Sequence, residues 1–540
     1  MIIRKKAPRT LGLNEPVRHD GAHKRPVSRR DFIAQGFVGG AATVVAPTAL
    51  GLLLNPTSAR ALSSDIIAQK LACGITGGAG KIPFICFDLA GGGNIAGSNV
   101  LVGGAGGQLD FLTAAAYAKM GLPGNMAPNS PNPGRTGNNF IENRLGLMFH
   151  SDSAHVRGIL ERTAPSTQAF TNGVVIPALS NNDTNTNPHN PMYGIAKVGA
   201  KGELLTLIGS QASMSGGNSV APLSMVDASL TPTVVNRAVD VTGLVDTGAL
   251  GRLFSNPADA VSVLESMSRI SGQKLSVVTT KLQTDGAVKA AANCNYVKSA
   301  YLAENFSNPA ALNPDLDSQI VDQSGSRGSG IFSQAEYMGD AEFRKTAAIM
   351  KMVVNGYAGA GTVTLGGYDY HGQGRATGEL RDLRAGRCIG ACLEYAARMQ
   401  KPLMVYVFSD GGVSAGGQVD STTDGRGKFM WTSDNESVAS TYFLVYNPKG
   451  QPQLVDGGGG LRAANHQQIG AFTPDGSVDT ASSPAANNVL LLVQTVVLNY
   501  LALHGMQGQF STLFPDHGLG SSTRLDALTA FAPIVNGKIG

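Results

Sequence analysis

Charge is scarce in this chain: Asp, Glu, Lys and Arg together make up 15% of its 540 residues. With so few ions to pair across a surface, the 69 glycines point to long ordered loops rich in Asn, Ser and Thr, a composition common in exported proteins. A basic excess is lacking as well. The formal net charge is +4, but residues 1–61 hold ten Lys/Arg against three Asp/Glu, which leaves 32 basic and 35 acidic residues in the remainder. That balance gives no case for a nucleic-acid partner, whose phosphates demand a clustered positive field. Cysteine is limited to Cys73, Cys86, Cys294, Cys388 and Cys392, an odd number at unrepeated spacings that does not read as a disulfide framework. Cys388 and Cys392, four apart on one expected helix face, read as small buried hydrophobes. A clean membrane span is missing too. The apolar run 32–54 is interrupted by Gln35, Gly36, Gly39, Gly40, Pro47 and Gly51, which makes it a weak permanent anchor.

What is present begins with Ser28-Arg29-Arg30-Asp31-Phe32-Ile33. An arginine pair after a basic leader, followed by a mild apolar run and the small-x-small site Ala59-Arg60-Ala61, has the order of a twin-arginine export signal. Residues 1–61 are therefore expected to be read by the twin-arginine export machinery through Arg29 and Arg30 and cleaved after Ala61. The protein then belongs in the periplasm or at the cell surface. Residues 62–80 read as a short helix and a glycine-rich connector.

Beyond the connector, residues 81–535 are expected to form one α/β domain. Residues 82–89 form a continuous apolar run that ends at Gly91-Gly92-Gly93, the pattern of a buried parallel strand. Residues 362–365 and 403–408 read as two more strands and 442–446 as another, with helices at 336–355, 379–400 and 487–504. Residues 241–330 turn helical without a clear strand and read as a helical insertion. Alternation of helix and strand predicts a mostly parallel sheet with helices on both faces, and ligands in such sheets sit beyond the carboxyl ends of the strands. Three polar segments fall at that edge: Gly91 to Asn94, Tyr368-Asp369-Tyr370-His371, and Ser409-Asp410-Gly411-Gly412. A carboxylate and an imidazole on one loop suit a divalent cation, and Asp410 is expected to join Asp369 and His371. The alternative for these residues is a turn, with Asp369 and Asp410 capping backbone amides and His371 on the surface.

The runs Lys81-Ile-Pro-Phe-Ile-Cys-Phe-Asp-Leu-Ala-Gly-Gly-Gly-Asn94, Gly366-Gly-Tyr-Asp-Tyr-His-Gly372 and Val405-Tyr-Val-Phe-Ser-Asp-Gly412 stand in this order. In them the chain resembles the domain of unknown function 1501 family over roughly residues 81–515, through Leu513-Phe514-Pro515. These are bacterial proteins, often exported by the twin-arginine route, with an alkaline phosphatase and arylsulfatase type fold. The resemblance implies strand-end Asp and His residues that hold two divalent metals around a nucleophile attacking a phosphate or sulfate ester. On that basis Asp369 and His371 match an Asp-Thr-His-like element and Asp410 a Ser-Asp element. Several positions depart from the pattern. Asn94 stands where the family has Asp, and a neutral amide is a poor ligand for a hard dication. Ser409-Asp-Gly-Gly-Val413 lacks the arginine that would clamp an oxyanion. Thr432-Ser-Asp-Asn435 lacks the histidine of the family's Thr-Asp-His-Gly, and Pro188-His189-Asn190 lacks a serine. His466, in Ala464-Asn465-His466-Gln467, is a substitute ligand or an ordinary loop histidine. The expected function is an exported alkaline phosphatase/sulfatase-like protein with a degenerate site holding one divalent metal ion, non-catalytic or weakly catalytic, among other envelope or surface proteins. The alternative is a metal-dependent hydrolase of phosphate or sulfate esters.

Overall fold

The computed structural model describes residues 62–73, 75, 80–128, 139–180, 187–245, 257–279, 284–306, 308–324, 329–372, 374–455 and 467–539. Arg29, Arg30, Ala61 and His466 lie outside them. The apolar run after Lys81 becomes β1 (Phe84–Leu89), in which every residue is buried. Further strands are β2 (Thr171–Pro177), β3 (Leu205–Gly209), β4 (Thr233–Val234), β5 (Ala358–Leu365), β6 (Leu403–Ser409), the hairpin pair β7 (Val413–Val419) and β8 (Phe429–Asp434), and β9 (Ser440–Tyr446). Seven of these form one sheet in the order β2-β9-β6-β1-β5-β3-β4. The sheet is mostly parallel: β6, β1, β5, β3 and β4 pair in parallel, and β9 alone runs antiparallel to its neighbours β6 and β2. The three expected strands thus lie in one sheet. Within it β1 lies between β5 and β6.

The register decides what meets at the carboxyl edge. Leu89 pairs with Ser409 on one side and Leu365 on the other, so all three strands end level. The loops that follow them therefore converge.

In chain order the principal helices are α1 (Ser64–Ala72), α2 (Ala154–Arg162), α3 (Met192–Lys197), α4 (Pro257–Ser276), α5 (Asp285–Asn305), α6 (Ala341–Val354), α7 (Arg375–Arg398) and α8 (Val489–Ala502). Helices cover both faces of the sheet, which is why the central strands are apolar throughout instead of alternating. Phe84, Cys86, Met404, Tyr406, Phe443 and Val445 of the strands share one core cluster with α3 and α8. Met192, Tyr193 and Ile195 of α3 and Leu492, Val493, Val496 and Val497 of α8 are its helical members. Elsewhere on β5, Gly361 sits against Ile349 and Val353 of α6, so closely that a Cβ there would lie 2.6 Å from the Ile349 side chain.

One expected helix is two. Residues 336–355 divide into Gln334–Gly339 and α6, because Asp340 leaves the helical region (φ −122°) and its side chain caps the amide of Glu342 at 2.8 Å. Asp at an N-cap offers the backbone an alternative to continuing the helix. By contrast α7 begins at Arg375, before the expected 379, and its first turns include Gly378, which packs tightly against Tyr370 and Trp431.

The chain divides into two compact units. The larger, residues 70–248 and 306–540, holds the sheet. The smaller, residues 1–69 and 249–305, contains the two long helices α4 and α5. Within it Arg269 binds both oxygens of Asp65 at 2.8 Å, and Asn293 joins Gln69 at 2.6 Å. Among the described residues no helix is long and apolar enough to cross a membrane. Cys86, Cys388 and Cys392 are free and buried, as the helix-face reading of the last two implied. Cys73 and Cys294 are disulfide-bonded; an odd count without repeated spacing, which does not read as a disulfide framework, still leaves room for two of five to be oxidised.

Candidate functional site

The loop after β5 is built by alternation. Tyr368 and Tyr370 are buried, whereas the side chains of Asp369 and His371 are 58% and 38% exposed. Residues two apart on an extended segment share a face, so anchoring the two tyrosines inward presents the acid and the imidazole outward together. The anchors are specific. Tyr370 Oη accepts from the amide of Asn94 at 2.7 Å, and the Tyr368 hydroxyl donates to the carbonyl of Arg381 on α7 at 3.0 Å. Tyr370 also leans on Trp431, with ring centroids 6.3 Å apart. Trp431 is the buried residue of β8, and at the end of that strand stands Asp434. The hairpin is closed at its base by the Asn435 amide donating to the carbonyl of Gly412 at 2.7 Å.

This arrangement puts Asp434 beside His371. His371 Nδ1 lies 2.5 Å from Asp369 Oδ1 and 3.1 Å from Asp434 Oδ1. One ligand atom from each of the three residues falls within 4.8 Å of the others. Nδ1 of His371 and Oδ1 of Asp434 are shielded from solvent, and neither has a partner in hydrogen-bonding alignment. Lone pairs that converge without hydrogen bonds suit a cation bound at about 2 Å from each. Two carboxylates and one imidazole favour a borderline dication such as zinc, manganese or cobalt over the all-oxygen sites of calcium and magnesium.

Asp410 is not in this group. Its Oδ1 accepts from the amides of Gly91 at 2.7 Å and Gly92 at 3.2 Å, and its Oδ2 from Asn218 Nδ2 at 3.0 Å. The carboxylate fills the concavity of amides formed where Gly91 and Gly92 adopt positive φ, a conformation glycine tolerates. Burial pushes its pKa up, against the amide hydrogen bonds. The expected Asp369–His371–Asp410 set is therefore corrected to Asp369, His371 and Asp434, with Asp410 as a loop clamp. Asp369 and Asp410 nevertheless flank the same residue, since a Cβ on Gly91 would lie 2.8 Å from the Asp369 amide nitrogen.

The accessory candidates are structural too. Asn94 is buried, donates to the carbonyl of Ala96 at 3.0 Å and accepts from Ser98 Oγ at 2.5 Å. His189 is buried against Phe408, and its Nε2 lies 2.8 Å from Ser180 Oγ. Burial lowers its pKa to about 3, so it is neutral. Two concavities lie elsewhere, one at the opposite sheet edge by Lys81, Lys201 and Lys401, the other by Asp152, Thr422 and Arg426. Neither includes the three converging residues, which form a surface site.

Asp434 lay in view as part of Thr432-Ser-Asp-Asn435. Its role was hidden because only the β7–β8 hairpin brings it back to the loop after β5.

No known protein family, curated protein or solved structure matches this chain.

Proposed function

We propose that this is an exported protein of alkaline phosphatase-like architecture that holds one divalent cation through Asp369, His371 and Asp434 and lacks two-metal ester hydrolysis. It would work in the cell envelope or at the cell surface. The convergence of those three side chains carries the reading. A second cation would need ligands of its own, and Asp410 and Asn94 are already committed to loop amides and neighbouring side chains. Among the described residues no other group of three His, Cys, Asp or Glu converges. The disulfide-bonded Cys73 and Cys294 support an oxidising compartment, where such bonds persist.

The test is elemental analysis of the purified protein with a metal titration. One equivalent of a borderline dication is expected. Asp434→Asn, which keeps the shape and removes a charge, should weaken binding by about ten-fold or more, as loss of a carboxylate ligand does. Saturating metal should stabilise the wild type by about 2.7 kcal/mol at a hundred times Kd, and the variant by much less. Two stoichiometric metals, with ester turnover abolished by Asp369→Asn, would restore the hydrolase alternative. For export, replacing Arg29 and Arg30 by Lys should leave the precursor in the cytoplasm, because the route reads the arginine pair. Fractionation showing undiminished export and trimming near Ala61 would contradict it.

A further inference from the structure

The expected cleavage site ends at Ala61, and the smaller unit shows what holds the residue after it. Leu62 is only 4% exposed. Its backbone nitrogen lies 2.8 Å from Oε1 of Glu304 near the end of α5, and the Ser63 nitrogen lies 2.7 Å from Oε1 of Glu265 on α4. The Ser63 carbonyl accepts from the amides of Ile66 and Ile67, so α1 begins here. The Ser63 hydroxyl bonds Oε2 of Glu265, and Arg269 reaches Ser63 Oγ, Asp65 and Glu265. In these contacts three carboxylates, Asp65, Glu265 and Glu304, meet one cation. Capping a helix start needs no such surplus, since a neutral hydroxyl or amide serves. Glu304 sets a full negative charge against a neutral peptide N–H.

Trimming would change that nitrogen. When a signal peptidase hydrolyses the Ala61–Leu62 bond, the C–N bond breaks and the oxygen of water goes to Ala61 as a carboxylate. The Leu62 nitrogen takes both protons of the water and leaves as an ammonium, since a free α-amine titrates at about 8. A charge-assisted bond to a carboxylate is about twice as strong as one from a neutral amide. We propose that Glu304 is the receptor for the N-terminus made by export: the Leu62 ammonium docks on its carboxylate and pins the start of α1 to α4 and α5. This rests on the export reading above. Because Leu62 is buried, the peptidase reaches the bond only with residue 62 swung out. The ion pair then favours its return in the trimmed chain over the uncut one.

The full-length chain would be expressed in an exporting host, purified from the periplasm and its N-terminus read by mass spectrometry. Leu62 is expected as the first residue. Its α-amine would then be acetylated with acetic anhydride at pH 7 and the N-terminal peptide quantified over time. Labelling should be about ten-fold or more slower in the native protein than in urea, because a docked ammonium must first open. Glu304→Gln, which keeps the shape and removes the charge, should restore most of that rate while surface lysines label as before. Leu62 labelled as fast in the native protein as in urea, or protection unchanged in Glu304→Gln, overturns this inference and leaves the export reading standing. Trimming at another bond, or export without trimming, does the same. An uncut chain retained in the cytoplasm overturns both readings. Should Glu304→Gln fail to fold, the comparison of native and urea-unfolded wild type decides the matter alone.

Discussion

Glu379→Gln is expected to destabilise the protein by about 3–5 kcal/mol, the range for removing one partner from a buried ionic cluster. Glu379 is buried on α7, where its Oε1 accepts from Arg375 at 2.5 Å and Lys428 at 2.7 Å, and its Oε2 from Arg157 at 2.9 Å. Burial alone would push its pKa up; Lys428, Arg375 and Arg157 overcome this and hold it at about 2. Asp152 is the second carboxylate, paired with Arg426 and near Lys428. The glutamine would leave four cations facing one acid, two of them almost wholly excluded from water. Arg375 would keep its stacking on Trp431, 4.6 Å from the ring, but Lys428 has no such refuge. Burial already lowers the pKa of Lys428, with Glu379 opposing the shift, so the variant should lower it further. The unfolded chain then binds more protons than the folded one over the interval below the ordinary lysine value, and stability rises with pH there. Urea titrations from pH 7 to 9.5 should therefore show Glu379→Gln recovering part of its loss as pH rises. A loss below about 1 kcal/mol, typical of exposed pairs, would mean that the cluster does not act as a buried unit.

Much of the architecture was legible because burial on both faces writes itself as continuous apolar runs. Residues 82–89, 362–365 and 403–408 read as strands for that reason, and the structure has parallel strands at Phe84–Leu89, Ala358–Leu365 and Leu403–Ser409. Residues 442–446 were equally legible as a strand, which the structure extends to Ser440–Tyr446, but nothing in its seven buried residues encodes its antiparallel direction. Strand β2 escaped because Asn172, Gly173 and Pro177 interrupt its apolar pattern, although all seven of its residues are buried. Gly173 is there for close approach, since a Cβ would lie 2.6 Å from the Leu444 side chain. The site was half legible. Asp369 and His371 announce themselves by spacing on one loop. Asp410 misled because a carboxylate at a strand end serves a cation or a set of amides equally well by sequence, and only the positions of Gly91 and Gly92 decide. Asp434 and Arg381 reach the same loop from a hairpin and a helix, contacts that depend on tertiary folding and leave no local pattern.

Asp88→Asn should make the protein more stable at pH 8 by on the order of 3 kcal/mol, an unusual outcome for a fully buried residue of a central strand; the scale follows from about 1.4 kcal/mol for each tenfold change in proton affinity. The Asp88 pKa is raised to about 7, first by burial and also by the charge of Asp410, against hydrogen bonds from the 218–219 loop. Its Oδ2 accepts from the amides of Asn218 at 2.6 Å and Ser219 at 2.8 Å, and its Oδ1 from Ser219 Oγ at 3.2 Å. Because the folded value lies above the unfolded one, the folded state binds more protons between about pH 4 and pH 7. Stability from this group is then greatest below that window and falls as pH rises through it. An asparagine can keep all three contacts: its carbonyl oxygen takes the two amides, and the Ser219 hydroxyl turns to accept from its NH₂. Other groups have their own pH dependence. His150 and His504, with pKa lowered by burial to about 3 and about 4, lose stability on acidification and act alike in both proteins. The informative quantity is therefore the difference between wild type and variant. It should be small or favour the wild type near pH 4, and swing toward the variant by pH 8. A difference that stays flat from pH 4 to pH 8, or a variant less stable than the wild type at pH 8, would show that Asp88 is held ionised by its amides and that burial does not dominate at this edge of the sheet.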